Sequence, residues 1–360
     1  PGPDQFTKPT NGAALTSQQN PIINALLGLG QNPAALNQST FDRDIYVSQG
    51  RSYEGKTEDY GLALEANWDL GGAKLTSITG YREYGNLVGS DTDDNEDDIL
   101  YRAPGPNALA REFQTFSQEL RLQGEAFNGT LDWLIGAYYA NEKLETRDNL
   151  RFGNDYGTFA NCRIALAINP ALANPSADNC LGANVAALDG TLTGTPAFGA
   201  ATPLIIAGIN NLAQVRDIGS NGDRYNQTSE NFAVFTHNIV HVTDTVDLTL
   251  GLRYTNETKD FDAAFSNDNV FCPQSRALLD GLLSVPSLAG LAGGLIGLSC
   301  QGNSTAELDG VTLSDQRKED EFTGTAILSW KPDPDWMVYG SYSKGYKAGG
   351  FNLDRSALAV

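Results

Sequence analysis

The sequence predicts an all-β protein, an antiparallel up-and-down transmembrane β-barrel present as a partial arc of about eight to nine strands with long extracellular loops. Three observations carry that prediction. Apolar and polar residues alternate strictly in several segments, these segments pair through short turns while long loops join the pairs, and the four tryptophans sit beside the short turns.

The alternation is clearest at Val246, Leu248, Leu250, Leu252 and Tyr254, interleaved with Asp247, Thr249, Gly251, Arg253 and Thr255. A helix would scatter the two sets around its circumference, whereas a strand puts them on opposite faces. Tyr60, Leu62, Leu64, Ala66 and Trp68 repeat the pattern, as do Leu131, Trp133, Ile135, Ala137 and Tyr139 more loosely. Pairing gives four hairpins: 56–68 with 73–84, 112–123 with 131–142, 226–240 with 246–257, and 321–331 with 336–347. Their turns are rich in Gly, Pro, Asn and Asp, which supply turn dihedrals. The connections between hairpins, 85–111, 143–225 and 258–320, are long.

Short turns at one end and long loops at the other distinguish a barrel of the outer membrane from a compact soluble domain. Trp68, Trp133, Trp330 and Trp336 then form one interfacial girdle beside the short turns. Tyr60 and Tyr254 lie eight residues along their strands from Trp68 and Val246. At about 3.3 Å per residue and a tilt near 40°, that is roughly 20 Å of height, close to the apolar band of a bilayer. The alternative is a soluble secreted β-sandwich, which would bury tryptophan centrally and explains the long loops poorly.

Composition narrows the function. The 360 residues carry 44 acids and 24 bases, a net charge of −20, without a basic cluster, which argues against nucleic acid as a partner. With two histidines and no nucleophile, base and orienter arrangement, the chain does not read as an enzyme. His237 and His241 stand about 13 Å apart on an extended strand, too far for one metal ion. The chain opens on Pro1-Gly2-Pro3 and its only methionine is Met337, so it reads as a fragment or a processed chain. Pro1 to Thr40 reads as part of an extracellular loop, and Phe41 to Gly50 as part of an earlier strand. Gly281 to Ser299 is uncharged but holds Pro286 and several glycines, and Cys272 and Cys300 flank it. A helix that long would hold the cysteines too far apart to bond, so a folded-back loop is expected.

Two loop features carry chemistry. Asp91, Asp93, Asn95 and Asp97 match the alternating oxygen ligands that open an EF-hand, but Glu96 occupies the glycine position and Arg102 that of the closing glutamate. The run has two readings: a solvated acidic loop, or a Ca²⁺ site that also serves lipopolysaccharide-bridging ions. No other cofactor is indicated. Cys162 with Cys180, and Cys272 with Cys300, fall within separate long loops and suit local disulfides that tie each loop at its base.

Ser341 to Asn352, SYSKGYKAGGFN, resembles the strand-end motif of TonB-dependent outer-membrane receptors. FSQELRLQ from Phe116, LTSITGYREY from Leu75 and GLRYTNETKDF from Gly251 resemble other strands of that family, and the likeness spans about 56 to 352. It implies a barrel of roughly 22 strands around a plug domain. This chain would supply a middle arc, without the plug and its TonB-contacting segment. The implied function is TonB-energised uptake across the bacterial outer membrane of a scarce solute, a ferric siderophore or a similar large molecule. Outer-membrane lipid, lipopolysaccharide and TonB are the implied partners. A passive porin or adhesin-like barrel is the alternative. On the family reading, Glu65, Ser117, Glu119, Arg121, Thr249, Gly251 and Arg253 face the lumen. Arg82, Tyr84, Arg147, Tyr156, Tyr346 and Lys347, nearer the outer ends, are the candidates for ligand contact, since Arg and Tyr suit anionic, hydroxyl-rich or catecholate groups.

Overall fold

The computed structural model describes residues 21–39, 41–106, 108, 110–300 and 306–353. Eight long strands build one antiparallel sheet: β1 (Gly55–Asp69), β2 (Lys74–Val88), β5 (Ala110–Ala126), β6 (Leu131–Asp148), β8 (Asp223–Thr243), β9 (Val246–Ala264), β10 (Thr312–Asp333) and β11 (Trp336–Lys344). Their spatial order follows the chain, and the sheet is not closed. Three short strands, β3 (Ser90–Asp91), β4 (Leu100–Arg102) and β7 (Arg151–Phe152), form a separate small sheet in the loops.

All four expected hairpins are present, most with longer strands than the alternation revealed. The largest difference is β10, which begins at Thr312, because its first part, Ser314 to Glu321, is polar on both faces and has no period to read. Its backbone is nonetheless in continuous register with β9, from Thr312 opposite Ala264 to Trp330 opposite Val246. In the other direction β11 stops at Lys344, where Gly345, Gly349 and Gly350 weaken a strand, and residues 345–353 leave the sheet. Phe41 to Gly50 forms no strand either, and Thr40 and residues 1–20 of the expected first loop lie outside the described residues.

Register assigns the faces. Glu65 stands opposite Ile78, and the row continues through Glu119, Tyr138, Ala233 and Thr255 to Glu321. Trp68 begins the row Leu75, Leu122, Ile135, Thr236, Leu252 on the opposite face. On the polar face small residues are covered by their neighbours, Ala233 at 0% and Thr255 at 6% exposure. On the apolar face Leu62 is 80% and Leu64 67% exposed. The polar face is therefore the lumenal one and the apolar face the outward one. Gly136 shows how closely the lumenal side is packed: a Cβ there would lie 2.4 Å from the Phe235 ring.

The long loops do not hang free. They fold into helices α1 (Pro21–Leu29), α2 (Tyr156–Ile168), α3 (Val185–Leu188), α4 (Thr202–Leu212), α5 (Phe271–Leu279) and α6 (Ala289–Cys300). Phe152, Leu181, Ile205, Ile209, Leu212, Leu279 and Leu295 meet in a single core, drawn from the 149–222 and 265–311 connections together. We call this unit the cap. Cys162 is bonded to Cys180 and Cys272 to Cys300, and both bridges lie inside the cap, not at the loop bases. The uncharged run from Gly281 is a helical turn followed by α6, folded back on α5 so that the Cys272 and Cys300 Cα atoms are 4.6 Å apart. Among the described residues no helix is long and apolar enough to cross a membrane.

Candidate functional site

Alternation along the strands puts Glu65, Ser117, Glu119, Arg121, Thr249, Gly251 and Arg253 on the lumenal face in register with one another. Among them Arg121 pairs with Glu119, and further along the same face Lys259 pairs with Glu257 and Arg317 with Glu319. Trp68, Trp133, Trp330 and Trp336 lie on the apolar face close to the short turns, and Tyr60 and Tyr254 share that face further along. At the same short-turn end His241 binds two carboxylates, Nδ1 to Asp247 at 2.7 Å and Nε2 to Asp132 at 3.1 Å. This ties three strands together and leaves the ring no lone pair for a metal.

The candidates for ligand contact divide into three groups. Arg82 and Tyr84 sit on the lumenal face of β2, with the Arg82 guanidinium held bidentately by Asp59. Tyr346 and Lys347 belong to the segment beyond β11, which folds across the lumenal face. There the Tyr346 hydroxyl donates to Glu319 at 2.7 Å, the Gly349 amide to the same carboxylate at 2.8 Å, and Lys259 to the Gly349 carbonyl at 2.8 Å. Phe351 stacks on Phe261 with ring centroids 4.9 Å apart. Lys347, between the two anchors on Glu319, is exposed. These two groups are separated along the sheet by β5, β6, β8 and β9 and share no single site.

The third group is corrected by the structure. Arg147 lies opposite Ala110 and Arg224, on the face turned away from the lumen, where it bonds Glu145 and the Pro106 carbonyl. Tyr156 is the first residue of α2 and buried, its ring 4.0 Å from that of Phe152 and its hydroxyl donating to the Leu298 carbonyl at 2.7 Å. It holds the cap together and offers a ligand no surface. Strand parity, carried along β6 to Asp148, places Arg147 on the outward face; nothing local in the sequence marks the burial of Tyr156.

The acidic loop turns several of its oxygens to backbone amides. Asp91 accepts from the Ser48 amide at 3.0 Å and from the amides of Asp93 and Asp94, Asn95 accepts from the Asp97 amide, and Asp93 accepts from the Leu100 amide. The oxygens of Asp91 and Asn95 and one oxygen of Asp93 are thus directed at backbone donors, as short polar side chains in turns tend to be. Among the described residues the only close group of three metal-type ligands is Cys272, Cys300 and Glu307, and two of those are joined in a disulfide. In this arrangement Asp91, Asp93 and Asp97 are not gathered into one ligand set.

The loop instead buries acid. Asp97 is 2% exposed, and Oδ2 of Asp97 and Oδ1 of Asp93 have no hydrogen-bond partner. Burial, reinforced by Asp91, pushes the Asp93 carboxyl up to about 8, and burial, reinforced by Asp155 and Glu96, pushes Asp97 up to about 7. An acid whose pKa is higher folded than unfolded stabilises fully below its unfolded value, and that stabilisation fades as pH rises through the folded value. The loop should therefore hold most tightly near pH 4 and loosen up to about pH 7 to 8. Asp97→Asn, which imitates the protonated acid, is expected to slow amide exchange across 91–100 at pH 8 about tenfold and to flatten its pH dependence. Unchanged exchange at pH 8 would show that Asp97 carries no strain.

A curved sheet with one apolar and one polar face, aromatic residues beside its short turns and a folded cap on its long loops defines the wall of an outer-membrane β-barrel. The TonB dependent receptor-like β-barrel family matches residues 76–357, and the chain belongs to that family, whose place is the outer membrane. No curated protein sequence matches the chain. Among solved structures it resembles the ferric yersiniabactin uptake receptor FyuA from Yersinia pestis, with a TM-score of 0.51 and 11% identity over 87% of this chain and 32% of that one. That likeness supports the fold. The ferric-catecholate import receptor Fiu from E. coli K12 also aligns, at a TM-score of 0.45 and 11% identity, over 86% of this chain and 36% of that one. The chain therefore spans about a third of the length of the structures it matches.

Proposed function

We propose that the chain is one arc of the wall of a receptor that takes up a ferric siderophore or a comparable large, scarce solute, with energy relayed by the TonB protein. The observation that carries the reading is the family match over residues 76–357, which falls on a sheet whose lumenal face carries most of its charged and polar strand residues. The solute class comes from the solved relatives, a ferric yersiniabactin receptor and a ferric-catecholate receptor by their descriptions. Arg82 and Tyr84 on one side of the arc, and Tyr346 and Lys347 on the other, supply the cations and phenols that anionic iron chelates need. The cap then serves as a stiff outer vestibule, its two disulfides suited to the oxidising side of the membrane. The contacting lipid and lipopolysaccharide would meet the outward apolar face.

Growth of the source bacterium on iron-limited medium, supplied with single ferric siderophores and with or without the gene, tests the proposal. Loss of growth on one chelate, with growth on inorganic iron retained, is the expected outcome. Equal growth on every chelate tested, alongside ordinary diffusion of small solutes through the protein, would favour a passive pore.

A further inference from the structure

At the end of the sheet where the short turns lie, nothing covalent joins one hairpin to the next, because the connections between hairpins all run at the opposite end. Side chains supply that link. Asp132 of β6, His241 of β8, Asp247 of β9 and Lys331 of β10 form a row in which acids and bases alternate, and the row crosses three hairpins. His241 Nε2 lies 3.1 Å from Oδ2 of Asp132 and Nδ1 lies 2.7 Å from Oδ1 of Asp247, whose Oδ2 lies 3.5 Å from Nζ of Lys331. Backbone bonds run beside it, the His241 amide donating to the Thr130 carbonyl at 2.9 Å and the Lys331 amide to the Thr245 carbonyl at 2.7 Å. Asp132 and Lys331 each stand one residue nearer their turn than Trp133 and Trp330, so the row lies on the water side of the tryptophan girdle.

The His241 ring decides what this row can do. A neutral imidazole has one N–H and one lone pair and donates to a single carboxylate, whereas an imidazolium donates to two. With a carboxylate on each ring nitrogen, only the charged ring satisfies both. Glu125 of β5, opposite Asp132, and Asp244 of the β8–β9 turn add negative charge, and Lys331 meets the row through the Asp247 oxygen that the ring does not use. Hydrogen bonds to Asp247 and Asp132 accordingly hold the ring's pKa above its ordinary value, and the bond from His241 holds Asp247 below its own. A group whose pKa is raised by folding stabilises fully below its unfolded value, about 6.5 for histidine, and that stabilisation is lost as pH rises through the folded value.

We propose that this row is a pH-controlled staple: the His241 imidazolium clamps the β5–β6 hairpin to the β8–β9 hairpin at the short-turn rim, and loss of its proton releases the Asp132 arm. Asp132 is the arm that lets go because its bond is the longer of the two and because Asp247 keeps Lys331 as a second partner. The staple follows from strand register and ring chemistry and does not depend on which solute is carried.

The test uses the protein expressed from its complete reading frame, labelled with ¹⁵N, in detergent micelles. The two ring nitrogens of His241 are followed by NMR from about pH 5 to about pH 9, with His241→Gln assigning the signal by its loss. Both nitrogens should carry protons until a midpoint about half a pH unit or more above 6.5. Exchange of the His241 and Trp133 amides, corrected for its intrinsic pH dependence, should rise about threefold through that midpoint and stay level in His241→Gln, threefold being the scale of one exposed ion pair. Should that variant fail to fold, Asp132→Asn, which removes one arm at an exposed position, should lower the midpoint and abolish the rise. A midpoint at or below about 6.5, exchange that does not change through the midpoint, or a rise that persists in the variant overturns the staple.

Discussion

Leu279→Ala is expected to destabilise the cap by about 3 to 5 kcal/mol, the usual cost of emptying a fully buried leucine site. Leu279 is 0% exposed, closes α5 and shares a core with Ile205 and Ile209 of α4 and Leu295 of α6. Its packing against α4 is so close that a Cβ on Gly208 would lie 2.9 Å from Leu279 Cδ1. The cavity cannot collapse easily, because α5 and α6 are joined by the Cys272–Cys300 bridge. Hydrogen exchange provides the readout, since cap and wall respond separately. Amides of α4, α5 and α6 should lose protection by two orders of magnitude or more, at about 1.4 kcal/mol per factor of ten, while β8 and β9 keep theirs. Retained protection in the helices would mean that the loops fold independently of a common core.

Asp98→Ala is expected to cost a similar amount, about 3 to 5 kcal/mol, by a different mechanism: it strands a half of a mostly buried ion pair. Asp98 takes both Nε and Nη2 of Arg51, at 3.0 and 2.6 Å, and also accepts from the Asn154 amide and side chain at 2.9 and 2.8 Å. Arg51 is further engaged by Asp217 at 3.0 Å and lies 3.6 Å above the centre of the Tyr101 ring. One carboxylate thus joins the segment before β1, the small sheet and the entry to α2. The backbone is fitted to it, for a Cβ on Gly153 would lie 2.1 Å from the Asp98 carbonyl oxygen. Segments 46–53 and 151–156 should lose exchange protection together in Asp98→Ala. Asp98→Asn, which keeps acceptor capacity and shape, should cost less. Loss confined to one segment would show that Asp98 is not the junction.

Where the sequence was readable, one physical rule did most of the work. A strand alternates its side chains, so Val246 to Tyr254 and Tyr60 to Trp68 declare both their conformation and their apolar face, and the short turns between neighbours declare the pairing. The rule fails where both faces are wet, which is why the first part of β10 went unread, and where glycines end a strand early, as they do after Lys344. Tyr156 illustrates a harder limit. An aromatic residue in a long polar connection reads as a ligand platform, yet the ring is covered by Phe152 and its hydroxyl is bonded to α6, well over a hundred residues away.

The sequence by itself determined that this chain is a wall: about eight strands in order, which of their faces is apolar, and which family they resemble. Those properties follow from residue spacing and local turns, interactions between positions near in the chain. Only the tertiary structure decided that two separate loops make one cap and that the acidic run bonds to backbone amides. Each of these depends on what a side chain meets across a long separation. Alternation and spacing are silent about such partners, because many different partners would leave the same local pattern.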